Sequence, residues 1–168
     1  YMQPMVAATQ ASHPLVRAGD IPVLFRYLPE LLALSEKVLA CFEHHSTHLW
    51  RDVLPLQVGR IFQLLEQELV TFVKYAVHYQ ANTKAIRRAC NNVLFLKIEQ
   101  DSLTRKETNR MGISDYLIAP FQRVPRYCLL IKDLMKHTEK DDPQFNELDH
   151  ALRLLTGLTY AMDHAQQR

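Results

Sequence analysis

Glycine is scarce, with four in 168 residues. Folds made of many tight turns need a residue that accepts positive φ at little cost, so sandwiches and barrels of short strands are disfavoured at the outset. Alternating runs of Val, Ile and Thr are missing too, which removes the main signature of half-buried strands. Charge of one sign is not in excess, because 20 basic residues stand against 18 acidic ones for a net +2. Nucleic-acid binders carry a one-sided basic surplus, so nucleic acid is not an expected partner. There is no run of 18 apolar residues and no signal peptide, and no segment is expected to cross a membrane. Catalytic signatures are also lacking: G-x-S-x-G, H-E-x-x-H, the P-loop and G-x-G-x-x-G are absent, so covalent catalysis has no assembled constellation.

The cysteines, Cys41, Cys90 and Cys128, form an odd set, and each falls within an apolar helical pattern. Buried, reduced thiols in a cytosolic setting fit that better than a disulfide framework. What the chain has in quantity is apolar residues, 48% of the total, at helical spacing. That is ample for one all-α domain with a real core.

The first residues, Tyr1 to Met5, read as the last turn of a helix, and a first residue other than Met suggests a fragment of a longer chain. Asp20 is the expected N-cap of the next helix, with Pro22 in its first turn. Leu24, Phe25, Leu28, Leu31, Leu32, Ser35, Val38, Leu39 and Phe42 trace its buried face, with a kink expected at Pro29. His44 and His48 lie one turn apart near Trp50 and Asp52, but zinc needs three or four ligands and this group does not complete a set. From Leu56 to Tyr79, Val58, Ile61, Phe62, Leu65, Leu69, Phe72, Val73 and Ala76 mark a core face, flanked by Tyr75 and Tyr79. A further helix from Thr83 to Gln100 buries Ile86, Ala89, Cys90, Val93, Leu94 and Leu96, and its basic start, Lys84, Arg87 and Arg88, reads as a solvated face. A short helix from Leu103 ends at Gly112, and Ser114 and Asp115 are candidate caps. Asp141, Asp142 and Pro143 make a turn, after which Phe145, Leu148, Leu152, Leu155 and Met162 line a last helix from Gln144 to Arg168.

The stretch Asp115 to Thr138 dominates this pattern. Leu117, Phe121, Val124, Cys128, Ile131 and Met135 keep steps of three or four, so one side belongs in the core. Pro120 and Pro125 each delete a backbone hydrogen bond, at about 3 kcal/mol, so a bent or interrupted helix is expected. Arg123 and Arg126 are neighbours on its surface, Arg123 expected to hold the scaffold and Arg126 to meet a partner through planar, bidentate contacts.

The run PFQRVPRYCLLIKDLMKHT resembles the most recognisable segment of the Dbl-homology domain, the exchange module of guanine nucleotide exchange factors for Rho-family GTPases. VGRIF, FVKYAVHYQ and IRRA, between Val58 and Ala89, are similar to that family's second conserved region, and the likeness spans essentially the whole chain. It implies an elongated all-α multi-helix bundle of the Dbl-homology type, one domain over residues 1–168, with the first helix largely absent and a pleckstrin-homology domain following. It implies binding of a GTPase of Rho, Rac or Cdc42 type, remodelling of its switch loops, exclusion of Mg²⁺ and release of GDP, without covalent chemistry, cofactor or metal. Ile118, Gln122 and Arg126 fall on the family's GTPase-binding face, and Arg110 and Met111 at positions that tune GTPase choice. Asp163 matches a position where the family usually has Asn, keeping an acceptor while losing the amide donors. The family's first-region Glu would precede Tyr1. The implied setting is the cytoplasm, in cytoskeletal signalling, with membrane recruitment only through other domains. The alternative is a non-catalytic helical scaffold that binds a GTPase or a partner helix without accelerating exchange.

Overall fold

The computed structural model describes residues 1–9, 17–48 and 57–167. Among these residues every regular element is helical. In chain order they are α1 (Met2–Thr9), α2 (Asp20–Phe25), α3 (Leu28–His48), α4 (Val58–Leu64), α5 (Glu66–Ala81), α6 (Thr83–Cys90), α7 (Val93–Leu103), α8 (Ile113–Lys136) and α9 (Pro143–Gln166), with a 3₁₀ turn at Lys106–Thr108. The all-α bundle expected from the sequence is what forms. His44, His48, Trp50 and Asp52 lie outside the described side chains.

Two apolar cores share one helix. The larger is built from α3, α4, α5, α8 and α9 around Phe62, Leu69, Val124, Ile131, Ala151 and Leu155. The smaller joins Met5, Leu24, Phe25, Ile86 and Phe95 to Ile113 and Leu117 at the start of α8. Tyr79 and Leu28 pack against both. Where the cores meet, the Tyr75 hydroxyl donates to the Leu117 carbonyl at 2.6 Å. Tyr75 is therefore central to the core and not a flank of its helix.

Helix α8 departs most from expectation, running unbroken through Pro120 and Pro125 for 24 residues, about 36 Å at 1.5 Å per residue. Each proline costs about 3 kcal/mol, but Ile113, Leu117, Val124 and Ile131 are all buried on its inner face. Full burial of each such side chain is worth roughly 1.5–3 kcal/mol, enough to offset both interruptions. Pro120 is itself buried, so its ring adds to the packing it would otherwise disturb.

The chain breaks elsewhere. The expected kink at Pro29 is a full break two residues earlier, where Tyr27 takes φ 65° and α3 restarts at Leu28. A proline disfavours helical geometry in the residue before it but suits a first turn, so Pro29 opens α3. The break also rotates the face: Leu31, Leu34 and Val38 are buried, while Leu32 and Leu39 are exposed. Asp20 is the first residue of α2, with Gly19 at the cap and no side-chain cap bond. Leu65 divides the expected Leu56–Tyr79 helix into α4 and α5. The Thr83–Gln100 helix divides at Asn91–Asn92, because the Asn92 side chain caps α7 by accepting from the amides of Leu94 at 2.9 Å and Phe95 at 3.4 Å. That restart buries Phe95 and leaves Val93 and Leu96 exposed.

The turn after α8 brings α9 back antiparallel. Asp142 caps it by accepting from the Gln144 amide at 2.8 Å, with Pro143 in the first turn. Helix α9 lies so close to α4 that a Cβ on Gly59 would sit 2.5 Å from the Glu147 carbonyl carbon and 2.7 Å from the Leu148 nitrogen. Both are backbone atoms on a packed helix, so neither can swing aside. Gly59→Ala is expected to destabilise by about 1–3 kcal/mol, a fall in Tm of roughly 3–10 °C; an unchanged melting curve would show that α4 and α9 can separate freely.

Candidate functional site

The outer face of α8 carries Ile118, Gln122 and Arg126 at i, i+4 and i+8, so the three stand in a row about 12 Å long. Gln122 and Arg126 are exposed, and Ile118 is 44% exposed. Leu129 and Leu130 continue the strip at 65% and 46% exposure. The sequence reading missed both leucines. Their signal was available, since each falls outside the set of Leu117, Phe121, Val124, Cys128 and Ile131 that fills the core.

Asp163 comes to this strip through the α8–α9 packing. The Cys128 thiol lies 3.9 Å from the Thr159 hydroxyl, which marks the register of the two antiparallel helices, held by the packing of Val124, Cys128 and Ile131 with Leu155, Leu158 and Met162. Asp163, one turn beyond Thr159, is therefore level with Val124, between the heights of Gln122 and Arg126. It is exposed. Among the described residues neither Asp163 nor Arg126 makes an ion pair, so both charges are available to a partner.

Arg123 points elsewhere. Its Nε donates to the Tyr127 hydroxyl at 3.2 Å, and its guanidinium lies 5.4 Å from the centre of the same ring. The same ring also meets Phe62, with centroids 5.1 Å apart. Arg123 thus holds the scaffold as expected, through an aromatic ring and not through a carboxylate. Two arginines three positions apart are separated by the helical turn into a packing role and an outward one.

Arg110 and Met111 sit at the entrance to α8. Asn109 and Arg110 have φ 48° and 58°, left-handed values that cost a non-glycine residue about 1–2 kcal/mol. The corner is held by its neighbours. The Thr108 hydroxyl shares its one proton between the Ser102 and Arg105 carbonyls, both at 2.9 Å, and the Tyr116 hydroxyl donates to the Thr108 carbonyl at 2.8 Å. The Met111 amide donates to Thr108 at 2.8 Å, and its carbonyl accepts from the Tyr1 hydroxyl at 2.6 Å. Met111 is half-buried, and Arg110 is exposed on a fixed corner. The first amides of α8 are satisfied by acids: Gly112 N–H donates to Asp115 at 2.8 Å and Ile113 N–H to Glu99 at 2.7 Å. Asp115 caps as expected, while Ser114 makes no cap.

None of the three cysteines is joined in a disulfide; Cys128 is buried, and Cys41 and Cys90 are half-buried. Burial, with a smaller contribution from Glu99, pushes the Cys90 thiol up to about 11, which disfavours the thiolate needed for nucleophilic or metal chemistry. Among the described residues no three His, Cys, Asp or Glu side chains are grouped to hold a metal ion. No described helix is long and apolar enough to cross a membrane. The outer face of α8 and the end of α9 bring together the exposed apolar side chains of Ile118, Leu129 and Leu130 with Gln122, Arg126 and Asp163, beside further exposed charges of α8 such as Lys132 and Asp133.

The model of the RhoGEF domain family matches residues 1–163, and the chain belongs to that family. Rho guanine nucleotide exchange factor 17 of Mus musculus is 30% identical over 156 residues, which is 92% of this chain and 7% of that protein. The breakpoint cluster region protein of Rattus norvegicus is 25% identical over 160 residues, 91% of this chain and 12% of that protein. The chain thus spans about a tenth of the length of these relatives. Among solved structures, the DH/PH domain of human ARHGEF11, in a ternary complex with human RhoA and its inhibitor, matches with a TM-score of 0.77 at 16% identity. That match covers 99% of this chain and 46% of the other, and it bears on the fold.

Proposed function

We propose that this domain binds a Rho-family GTPase across the outer face of α8 and the end of α9, remodels its switch loops and promotes release of GDP. The observation that carries the reading is the exposed row Ile118, Gln122 and Arg126, continued by Leu129 and Leu130, on a helix anchored in both cores. Membership of the RhoGEF domain family supplies the partner class. Exchange needs no bond made to the factor. It needs tighter binding of the nucleotide-free GTPase than of the nucleotide-bound one, so that binding shifts the population toward release. We assign the contacts to Ile118, Gln122, Arg126 and Asp163, the choice of GTPase to Arg110 and Met111, and the setting to the cytoplasm, with further domains such as a pleckstrin-homology domain outside residues 1–168.

The direct test is the release of fluorescent GDP from Rho, Rac and Cdc42 type GTPases, with acceleration of at least one as the expected result. Arg126→Ala is expected to slow that exchange by about tenfold or more, as a charge-assisted hydrogen bond is worth roughly 1.5–3 kcal/mol, while moving stability by no more than about 0.5 kcal/mol. Loss of helicity in proportion to loss of exchange would place Arg126 in the fold and not in the contact.

Asp163 favours a second reading, binding without acceleration, because a carboxylate has no donors to offer where the family usually has an amide. Asp163→Asn separates the two. On the first reading the wild type already exchanges and the variant is faster; saturable binding by both proteins with an unaltered GDP off-rate would favour the scaffold. For selectivity, Arg110→Glu is expected to change the order of preference across the GTPase panel while leaving Tm in place, and an unchanged order would remove Arg110 from the contact.

A further inference from the structure

Thirty consecutive residues, Leu69 to Ile98, contain no carboxylate and five lysines and arginines. Three of these cations, Lys84, Arg87 and Arg88, are exposed on α6, and among the described residues none of them makes an ion pair. From sequence they read as a solvated face. The structure changes their surroundings. Asn92 restarts the helix, turning Phe95 into the core and leaving Val93, the first residue of α7, 83% exposed and Leu96 47% exposed. Lys97 is exposed on the same helix. The nearest carboxylate along the chain, Glu99, is half-buried and accepts from Ile113 N–H at 2.7 Å, and Asp20 of α2 lines a recess with Ala89 and Asn92, but among the described residues neither forms an ion pair with these cations.

We propose that the α6–α7 corner is a membrane-contact surface that rests on a bilayer containing anionic phospholipid. Lys84, Arg87, Arg88 and Lys97 meet the headgroups while Val93 and Leu96 enter the acyl boundary. Unpaired cations with protruding aliphatic side chains are the combination that peripheral membrane surfaces use, one part attracted by the negative surface potential and the other removed from water. An acidic protein surface would satisfy the cations, but it would need a shaped recess for a side chain projecting as far as Val93. A bilayer interface accepts a convex corner without one. The resemblance by itself leaves membrane contact to other domains, whereas this corner gives the domain a contact of its own, independent of whether it exchanges nucleotide.

The experiment is co-sedimentation of the 168-residue protein with phosphatidylcholine vesicles, with and without phosphatidylserine. Binding is expected only when phosphatidylserine is present. The double variant Arg87→Gln/Arg88→Gln should lower the partition coefficient about 30-fold, which is ~1 kcal/mol for each cation. Val93→Ser should lower it by about fivefold or more through lost apolar burial. Absence of wild-type binding overturns the proposal, as does retention of a polyglutamate peptide without retention of vesicles, which would assign the corner to an acidic protein. Val93→Ser binding as well as the wild type would overturn it too, reducing the contact to long-range attraction. Exchange on a GTPase in solution, without vesicles, should be the same in both variants and the wild type, so failure of the membrane contact is distinguishable from failure of exchange.

Discussion

The structure depends on one constraint, that a single helix belongs to two hydrophobic cores at once. Helix α8 gives Ile113 and Leu117 to the smaller core and Val124, Cys128 and Ile131 to the larger. The Tyr75 hydroxyl on the Leu117 carbonyl is the polar link at their junction, and three rings close around it: Phe121 lies 5.6 Å from Tyr75 and 5.3 Å from Tyr79, centroid to centroid. Burial, then the neighbouring Tyr79, pushes the Tyr75 phenol well above its ordinary range, which favours the protonated form that donates to Leu117. A buried hydroxyl without that acceptor would be a net cost. With it, the link fixes the axial position of α8 against α5.

From that anchor the outward face follows with little freedom. Once Leu117, Val124 and Ile131 point inward, the 3.6-residue period sends Ile118, Gln122 and Arg126 outward. Asp163 is then set by α9, whose height is held by the apolar packing of Leu155, Leu158 and Met162 against α8 and whose closeness to the bundle depends on Gly59. Packing in the interior therefore decides how a charge on one helix stands relative to a charge on another. Residues that never touch a partner control the spacing of those that would.

The sequence made the helical class and the inner face of α8 legible, because both rest on hydrophobic period alone. All six of its expected inward positions are buried or partly buried. Breaks were less legible. The two prolines most suggestive of interruption sit in a continuous helix, while Tyr27, Leu65 and Asn92, none of them strong breakers, end helices or restart them. The reason is physical: a proline's cost is local and fixed, whereas the burial that offsets it comes from elements distant in sequence. The missed breaks at Tyr27 and Asn92 also turned the face beyond them, so Leu32, Leu39, Val93 and Leu96 were assigned inward when the structure exposes them, while beyond Leu65 the inward face of Leu69, Phe72 and Ala76 was kept. Of the candidate site, the identities of Ile118, Gln122 and Arg126 came from a family likeness and their exposure from the period. The continuation through Leu129 and Leu130 went unread because consecutive leucines look like core.

Rigidity is the feature that connects this packing to the exchange proposed for the domain. Moving a two-state partner from one per cent to ninety-nine per cent of its released form takes about 5.5 kcal/mol of differential binding. A strip of five side chains supplies that only if little is lost in ordering them, and each long side chain immobilised on binding costs about 0.5–1.5 kcal/mol. Ile118, Leu129 and Leu130 have few rotamers to lose, and their backbone is already held by two cores. Arg126 is the costly member, which is why its independence from Asp163 matters: an arginine already paired within the domain would have to break that pair before meeting a carboxylate of the GTPase. Arg123, three residues earlier, is occupied with Tyr127, and that occupation keeps the ring against Phe62 while leaving its neighbour free. The same helix therefore occupies one arginine with its own packing and leaves the other outward for the partner proposed for it.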